Sequence, residues 1–187
     1  MSTEDRRQAL VQVTIPLLRE HGRSVTTRQI AEAAGVAEGT IFRVFDSKEE
    51  LIDYALHRAF SWGDLIERID AIDIGLPLEE RLLELVTLLQ NRFQAIFGLM
   101  RSVGMVAPPK TGEHAEERER WLRQVRTSMV RLVKPDAALF AMSAAEVVNV
   151  VRLLTFSGSH PEMTQGQLLK PAEIVGVVLH GVLKENP

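Results

Sequence analysis

The sequence predicts an all-α protein of about nine helices, and three observations carry that prediction. Apolar residues recur at three- and four-residue intervals in segment after segment, and almost nothing else is legible. Glycine and proline punctuate those segments, as at Gly22 and Gly75-Leu-Pro77. The stretch from Thr27 to Phe45 reads as a helix, a tight turn and a second short helix.

The first helix is predicted from about Glu4 to Glu20, with Leu10, Val13, Leu17 and Leu18 near one face. Pro16 falls inside it, where the missing N–H should remove one hydrogen bond and kink the axis. His21-Gly22 closes it, the histidine acting as a favourable cation or cap. Thr26 suits an N-cap, since its hydroxyl can accept from the unpaired amides of the next turn. Ile30, Ala31 and Ala34 follow at helical spacing, and the small Ala31 lets a second helix cross close above it. Gly35 stands where the helix must stop, in a conformation glycine readily adopts. Val36 is expected to pack back into the angle between the two helices.

The second short helix is predicted from about Ala37 to Phe45. Ile41 and Phe45 are four apart, so they share a face and point inward. At about 100° per residue, Arg43 points almost opposite to them. Gly39 and Thr40 flank it. The outer face is therefore a guanidinium, a hydroxyl and a glycine that permits close backbone approach. A guanidinium can bond guanine bidentately, and threonine can contact a phosphate or a thymine methyl. A unit of this form puts one helix into the major groove, so the chain reads as a DNA-binding regulator.

Asp46-Ser47 caps a long fourth helix that runs to about Ile69, with Gly63 as its weak point. Ser47-Lys-Glu-Glu50 has the spacing of a capping box. After the Gly75-Leu-Pro77 turn, a fifth helix from about Leu78 to Gly98 is strongly apolar. A short sixth helix is expected around Met100 to Val106, followed by a loop containing Pro108, Pro109 and Gly112. The seventh, about Ala115 to Val133, opens with Glu116-Glu-Arg-Glu-Arg120. Glu116 with Arg120 and Glu119 with Arg123 are pairs on a solvated face. The eighth, about Ser143 to Phe156, and the ninth, about Pro171 to Leu183, are apolar nearly all round. Such helices must be buried on every side. One flank can pack on its own core and the other needs a partner. A two-fold homodimer is predicted, with Val147, Val151, Leu154, Val175, Val178, Leu179 and Val182 at the interface.

The first fifty-odd residues resemble the N-terminal domain of the tetracycline-repressor (TetR) family of bacterial regulators. The blocks that carry the resemblance are Arg19-Glu-His-Gly22, Val25-Thr-Thr-Arg-Gln-Ile-Ala-Glu-Ala-Ala-Gly-Val36, Gly39-Thr-Ile-Phe-Arg-Val-Phe45 and Ser47-Lys-Glu-Glu-Leu51. The resemblance implies a three-helix helix-turn-helix DNA-binding domain over residues 1–48. It implies a helical regulatory and dimerisation domain over 49–187, with the same helical dimer interface. Arg43 is the first choice for base readout. Thr26, Thr27, Arg28, Thr40 and Lys48 lie at helix starts or exposed flanks, where family members contact phosphates. Lys48 adds charge beside a helix N-terminus, a ready anion site. Glu38 is a cost near DNA unless it accepts from a cytosine amine or faces away. Phe42 replaces the tyrosine that relatives commonly carry, so that phenolic phosphate contact is absent. Val44 is a candidate for a thymine methyl. The family usually has a helix former where this chain has Pro16. Family members hold a small molecule in the helical core. The candidates here are Phe60, Trp62, Phe93, Phe97, Met100, Trp121, Met129 and Phe156, a lining suited to an apolar or amphipathic compound.

Composition narrows the class. The chain is 45% hydrophobic, enough for a substantial core, and has no cysteine, so neither a disulfide nor a thiolate metal site is expected. No cleavable apolar stretch follows Met1 and no apolar run approaches membrane-spanning length, so a cytoplasmic location without membrane partners is expected. The formal charge is −3. Residues 1–48 hold seven Lys/Arg and six Asp/Glu, a net of +1, and the remainder holds fifteen and nineteen, a net of −4. Placement of charge must therefore matter more than its total. The chain has no Glu-x-x-His, His-Glu-x-x-His, Gly-x-Gly-x-x-Gly or Gly-x-Ser-x-Gly, so no enzymatic activity, metal or cofactor is expected. Ser157-Gly-Ser-His160 reads as a turn.

The function expected is that of a ligand-responsive repressor. A dimer would present two reading helices to a palindromic operator on double-stranded DNA, with half-sites ~34–36 Å apart or slightly more. An effector wedged against the fourth helix would alter the separation of the heads. It can release DNA only to the extent that it binds the non-DNA conformation more tightly. The alternatives are an activator or ligand-independent regulator on the same fold, and a helical ligand-binding or scaffold dimer whose two-helix unit binds protein. Arg43 argues against the last.

Overall fold

The computed structural model describes residues 2–61, 63–106 and 115–181. These residues form eight α-helices with three short 3₁₀ helices, and no strand occurs among them. The helices are α1 (Thr3–His21), α2 (Thr27–Ala34), α3 (Lys48–Phe60), α4 (Gly63–Asp70), α5 (Leu78–Ser102), α6 (Ala115–Val133), α7 (Ala144–Gly158) and α8 (Pro171–His180). The chain divides into two compact units, Met1–Ser61 with Ile96–His114, and Trp62–Ala95 with Ala115–Pro187. Of the expectations above, Trp62, Val182 and the loop over 107–114 lie outside the described residues.

In the first unit, α1 lies against α2 and α3. It runs unbroken through Pro16. The reason is position: Pro16 and Gln12, whose carbonyl loses its helical partner, are both exposed, so water can replace the missing N–H. The buried stripe is Leu10, Val11, Thr14 and Leu18, while Val13 and Leu17 are only half-buried. Thr14 is tolerated inside because its hydroxyl donates to the Leu10 carbonyl at 2.7 Å.

Three expectations about the helices need correction, and one element was not expected. The long fourth helix is two helices, α3 and α4. Ser61 is extended (φ −64°, ψ 151°) and ends α3, and Gly63, the expected weak point, is the first residue of α4. There is no separate sixth helix. The fifth continues to Ser102, and Gly104, at φ +68°, ends the turn that follows. A 3₁₀ helix over Lys134–Leu139 extends α6 and has no counterpart in the sequence reading. The last helix stops at His180 because Gly181 adopts φ +72°, short of the Leu183 expected.

In the second unit, α6 lies against α4 and α7, and α7 against α8. Polar braces tie these elements across long stretches of sequence. Arg81 is 3% exposed and donates to the Leu132 carbonyl and to Asp136. Arg131 Nη2 gathers the carbonyls of Ile69, Asp70 and Ile72 at 3.2, 3.1 and 3.4 Å, satisfying the orphan end of α4. Gln90 donates to the Leu169 carbonyl. No single helix among the described residues is long and apolar enough to cross a membrane.

Candidate nucleic-acid interface

The helix-turn unit is built by its caps. Thr26 Oγ1 accepts from the Gln29 amide at 3.2 Å, and the Gln29 side chain returns to the Thr26 amide at 2.8 Å. The Thr26 hydroxyl also donates to Gln29 Oε1 at 2.9 Å, so its proton is engaged within the cap. Gly35 closes α2 in the left-handed conformation (φ +65°, ψ 33°), with the Val36 amide donating to the Ala31 carbonyl at 3.0 Å. The chain then turns into the second arm of the motif.

That arm is not the α-helix expected over Ala37 to Phe45. It is a 3₁₀ helix, Glu38–Arg43. The Thr40 amide bonds the Ala37 carbonyl at 2.8 Å and the Val44 amide bonds the Ile41 carbonyl at 3.0 Å. Glycine at 39 and β-branched residues at 40 and 41 are poor α-formers, and short runs are where 3₁₀ winding occurs. The inward anchors hold despite the change, since Ile41 and Phe45 are both buried.

Phe45 is clamped from behind by a residue that sequence reasoning missed. The Arg7 guanidinium lies 4.8 Å from the Phe45 ring centre and 4.9 Å from that of Tyr54. The two rings meet edge to face at 6.0 Å. Arg7 also pairs with Glu50 at 3.1 Å, and Glu50 accepts from the Asp46 amide at 2.6 Å. Ser47 does cap α3, accepting from the Glu50 amide at 3.1 Å, but the return half of the expected capping box goes to Asp46 instead. The one available signal was that Arg7 continues the inward row of Val11, Thr14 and Leu18.

The face left open carries the candidate DNA-contact residues. Thr26, Arg28, Glu38, Gly39, Phe42 and Arg43 are exposed, whereas Thr27, Thr40, Val44 and Lys48 are half-buried. Phe42 is 53% exposed, an unusual place for an aromatic side chain. The Thr27 hydroxyl donates to Glu38 Oε1, linking the starts of the two arms.

The other sets divide. Among the ligand candidates, Phe93 and Phe156 meet edge to face at 5.3 Å in the second unit, with His160 6.4 Å beyond Phe156. Trp121 and Met129 belong to that unit also, but Phe60, Phe97 and Met100 belong to the first. Three of the expected dimer residues, Val147, Val151 and Val175, are buried within the chain itself. The outward apolar residues of α7 and α8 are Val150, Leu153 and Val177, at 37, 48 and 41% exposure. Leu154, Val178 and Leu179 are half-buried.

Residues 10–55 match the profile described as "Bacterial regulatory proteins, tetR family", the same segment that folds into the capped head just described. Residues 10–55 are a TetR-family N-terminal domain. The chain is 32% identical over 129 residues to the HTH-type transcriptional repressor KstR2 of Rhodococcus jostii, covering 68% of this chain and 61% of that protein. It is 39% identical over 59 residues to the nucleoid occlusion factor SlmA of Haemophilus ducreyi, 30% of this chain and 29% of that one. The match thus spans less than two thirds of either relative's length. Among solved structures, a tetR-family transcriptional regulator from Streptomyces coelicolor superposes with a TM-score of 0.62 at 24% identity, covering 96% of this chain and 79% of that one. The regulator FadR from Bacillus subtilis, solved with stearoyl-CoA, gives 0.63 at 14% identity, covering 94% and 99%. Those two likenesses establish the fold.

Proposed function

We propose that this chain is a dimeric, ligand-responsive transcriptional repressor in the cytoplasm. Residues 1–48 would read DNA, and 49–187 would dimerise and sense the effector. The observation that carries the reading is the open face of the 38–43 arm: Arg43 and Phe42 are left outside a core that buries Ile41 and Phe45. Arg43 supplies base readout, with guanine as its partner. Arg28 and Lys48 take phosphates, which set register and supply the salt-dependent part of affinity. Thr26 contributes through its cap, because its hydroxyl proton is engaged with Gln29. Phe42 offers apolar contact to a thymine methyl or sugar. The proposed dimer forms through Val150, Leu153 and Val177 rather than the buried valines of the same helices. The proposed effector is apolar or amphipathic. The stearoyl-CoA bound by FadR supports that class, as do the paired rings of Phe93 and Phe156.

The experiment is selection of bound fragments from sheared genomic DNA, with Arg43→Ala as the control, and sedimentation of the free protein. Recovery of one palindromic site by a dimer is the expected result. Arg43→Ala should cost about 1–3 kcal/mol of operator affinity and relax specificity. Unchanged affinity rejects the role of Arg43, and a monomer at micromolar concentration rejects the dimer.

A further inference from the structure

We infer that Glu38 is a base-reading residue selective for cytosine, and that Thr27 is its positioning residue. The inference rests on the DNA-binding reading above and names one base that it requires.

Glu38 opens the 3₁₀ arm on the exposed face, beside Gly39. A carboxylate there is costly against a polyanion unless it finds a donor. Two observations bear on which donor. First, the Thr27 hydroxyl donates to Glu38 Oε1, eleven residues away in sequence, so the side chain is held by the start of α2. That bond uses one of about four acceptor positions on the carboxylate and leaves the second oxygen uncommitted. Second, a Cβ built at Gly39 would meet nothing within 4 Å, so a base edge has room to approach beside Glu38.

The chemistry then selects. In the major groove, an acceptor-only group matches amines alone, those of cytosine N4 and adenine N6. Adenine places its N7 acceptor beside that amine, facing the carboxylate with a second lone pair. Cytosine does not. Guanine O6 and N7 and thymine O4 are acceptors, and a carboxylate repels them. Cytosine is therefore the base that Glu38 fits, in the half-site that also offers guanine to Arg43. Thr27 fixes the carboxylate in advance, so its ordering is not charged to binding.

The test is selection from randomised duplexes, followed by titration of the best duplex and of its single-base variants by fluorescence anisotropy. The native protein should enrich one cytosine per half-site, and replacing it should weaken binding about tenfold or more. With Glu38→Ala the penalty at that position should fall below about twofold, with preferences elsewhere kept. Glu38→Gln should prefer adenine there, since an amide bonds N6 and N7 together. Thr27→Val should lower the cytosine penalty part-way and Thr27→Ser should restore it, a pattern that a merely structural role for Thr27 would not give. If Glu38→Ala keeps the native preference at every position, or weakens all duplexes equally, the inference is overturned while the DNA-binding reading stands. If the native protein enriches no sequence, both fall.

Discussion

The two units of this chain hold themselves together at different ranges. The head is assembled mostly from short-range devices, Thr26 with Gln29, Ala31 with Gly35 and Val36, and Ser47 with Glu50, with Arg7 to Glu50 and Tyr54 as a longer clamp. The second unit depends on side chains that reach across fifty residues or more, Arg81 to Asp136 and Arg131 to the end of α4. Short-range devices constrain the sequence locally, so they can be read and matched. Long-range braces leave no local trace. The relatives show the same asymmetry: SlmA shares about the head's length with this chain, under a name that describes a different task from that of KstR2.

The contrast can be broken at its strongest point. Arg81→Ala leaves Asp136 and the Leu132 carbonyl without their buried partner and should cost about 3 kcal/mol or more, read by chemical denaturation. Hydrogen exchange should rise in α6 and not in α2. Arg81→Met, which keeps the volume, should cost less. Gly22→Ala tests a second non-local joint of the head, beside that of Arg7. A Cβ there would meet the Ser102 carbonyl oxygen at 2.3 Å, and the backbone, at φ +59°, suits glycine alone. A loss of about 2–3 kcal/mol is expected, with α1 losing protection first. Thr26→Ala removes a local device and should cost about 1 kcal/mol of head stability. The smallest effect is at Ser143. Its hydroxyl and amide, donating to Glu146, hold that carboxyl below its ordinary range, and the contribution is present above the ordinary value and lost as pH falls through the lowered one. Ser143→Ala should raise the Glu146 titration midpoint towards normal, as followed by NMR.

The helices and their caps were legible because apolar spacing and capping chemistry are local. The caps at Thr26, Gly35 and Ser47 stand where the residues placed them. Winding was not legible: residues 38–43 keep their inward anchors whether α or 3₁₀, so periodicity could not separate the two. Which apolar residues of α7 and α8 face outward was not legible for a related reason. Val147 and Val150 are equally apolar, and only packing tells which looks inward. Arg7 escaped because Glu50 and Tyr54 are more than forty residues away in sequence. On the DNA side, residue identity was enough to nominate Arg43 and Glu38, while the Thr27 bond that holds Glu38 needed coordinates.

The tight winding of the 38–43 arm limits how much sequence one protomer can inspect. Six residues at a 3₁₀ rise of about 2 Å span about 12 Å, the length of three to four base pairs. Two such arms on the proposed operator interrogate six to eight positions, and eight positions distinguish only ~65,000 words, short of the ~10⁶ or more competing sites in a genome. The missing discrimination has to come from the distance between the arms and the stiffness of the DNA that joins their half-sites. For this chain, the spacer would be part of the message.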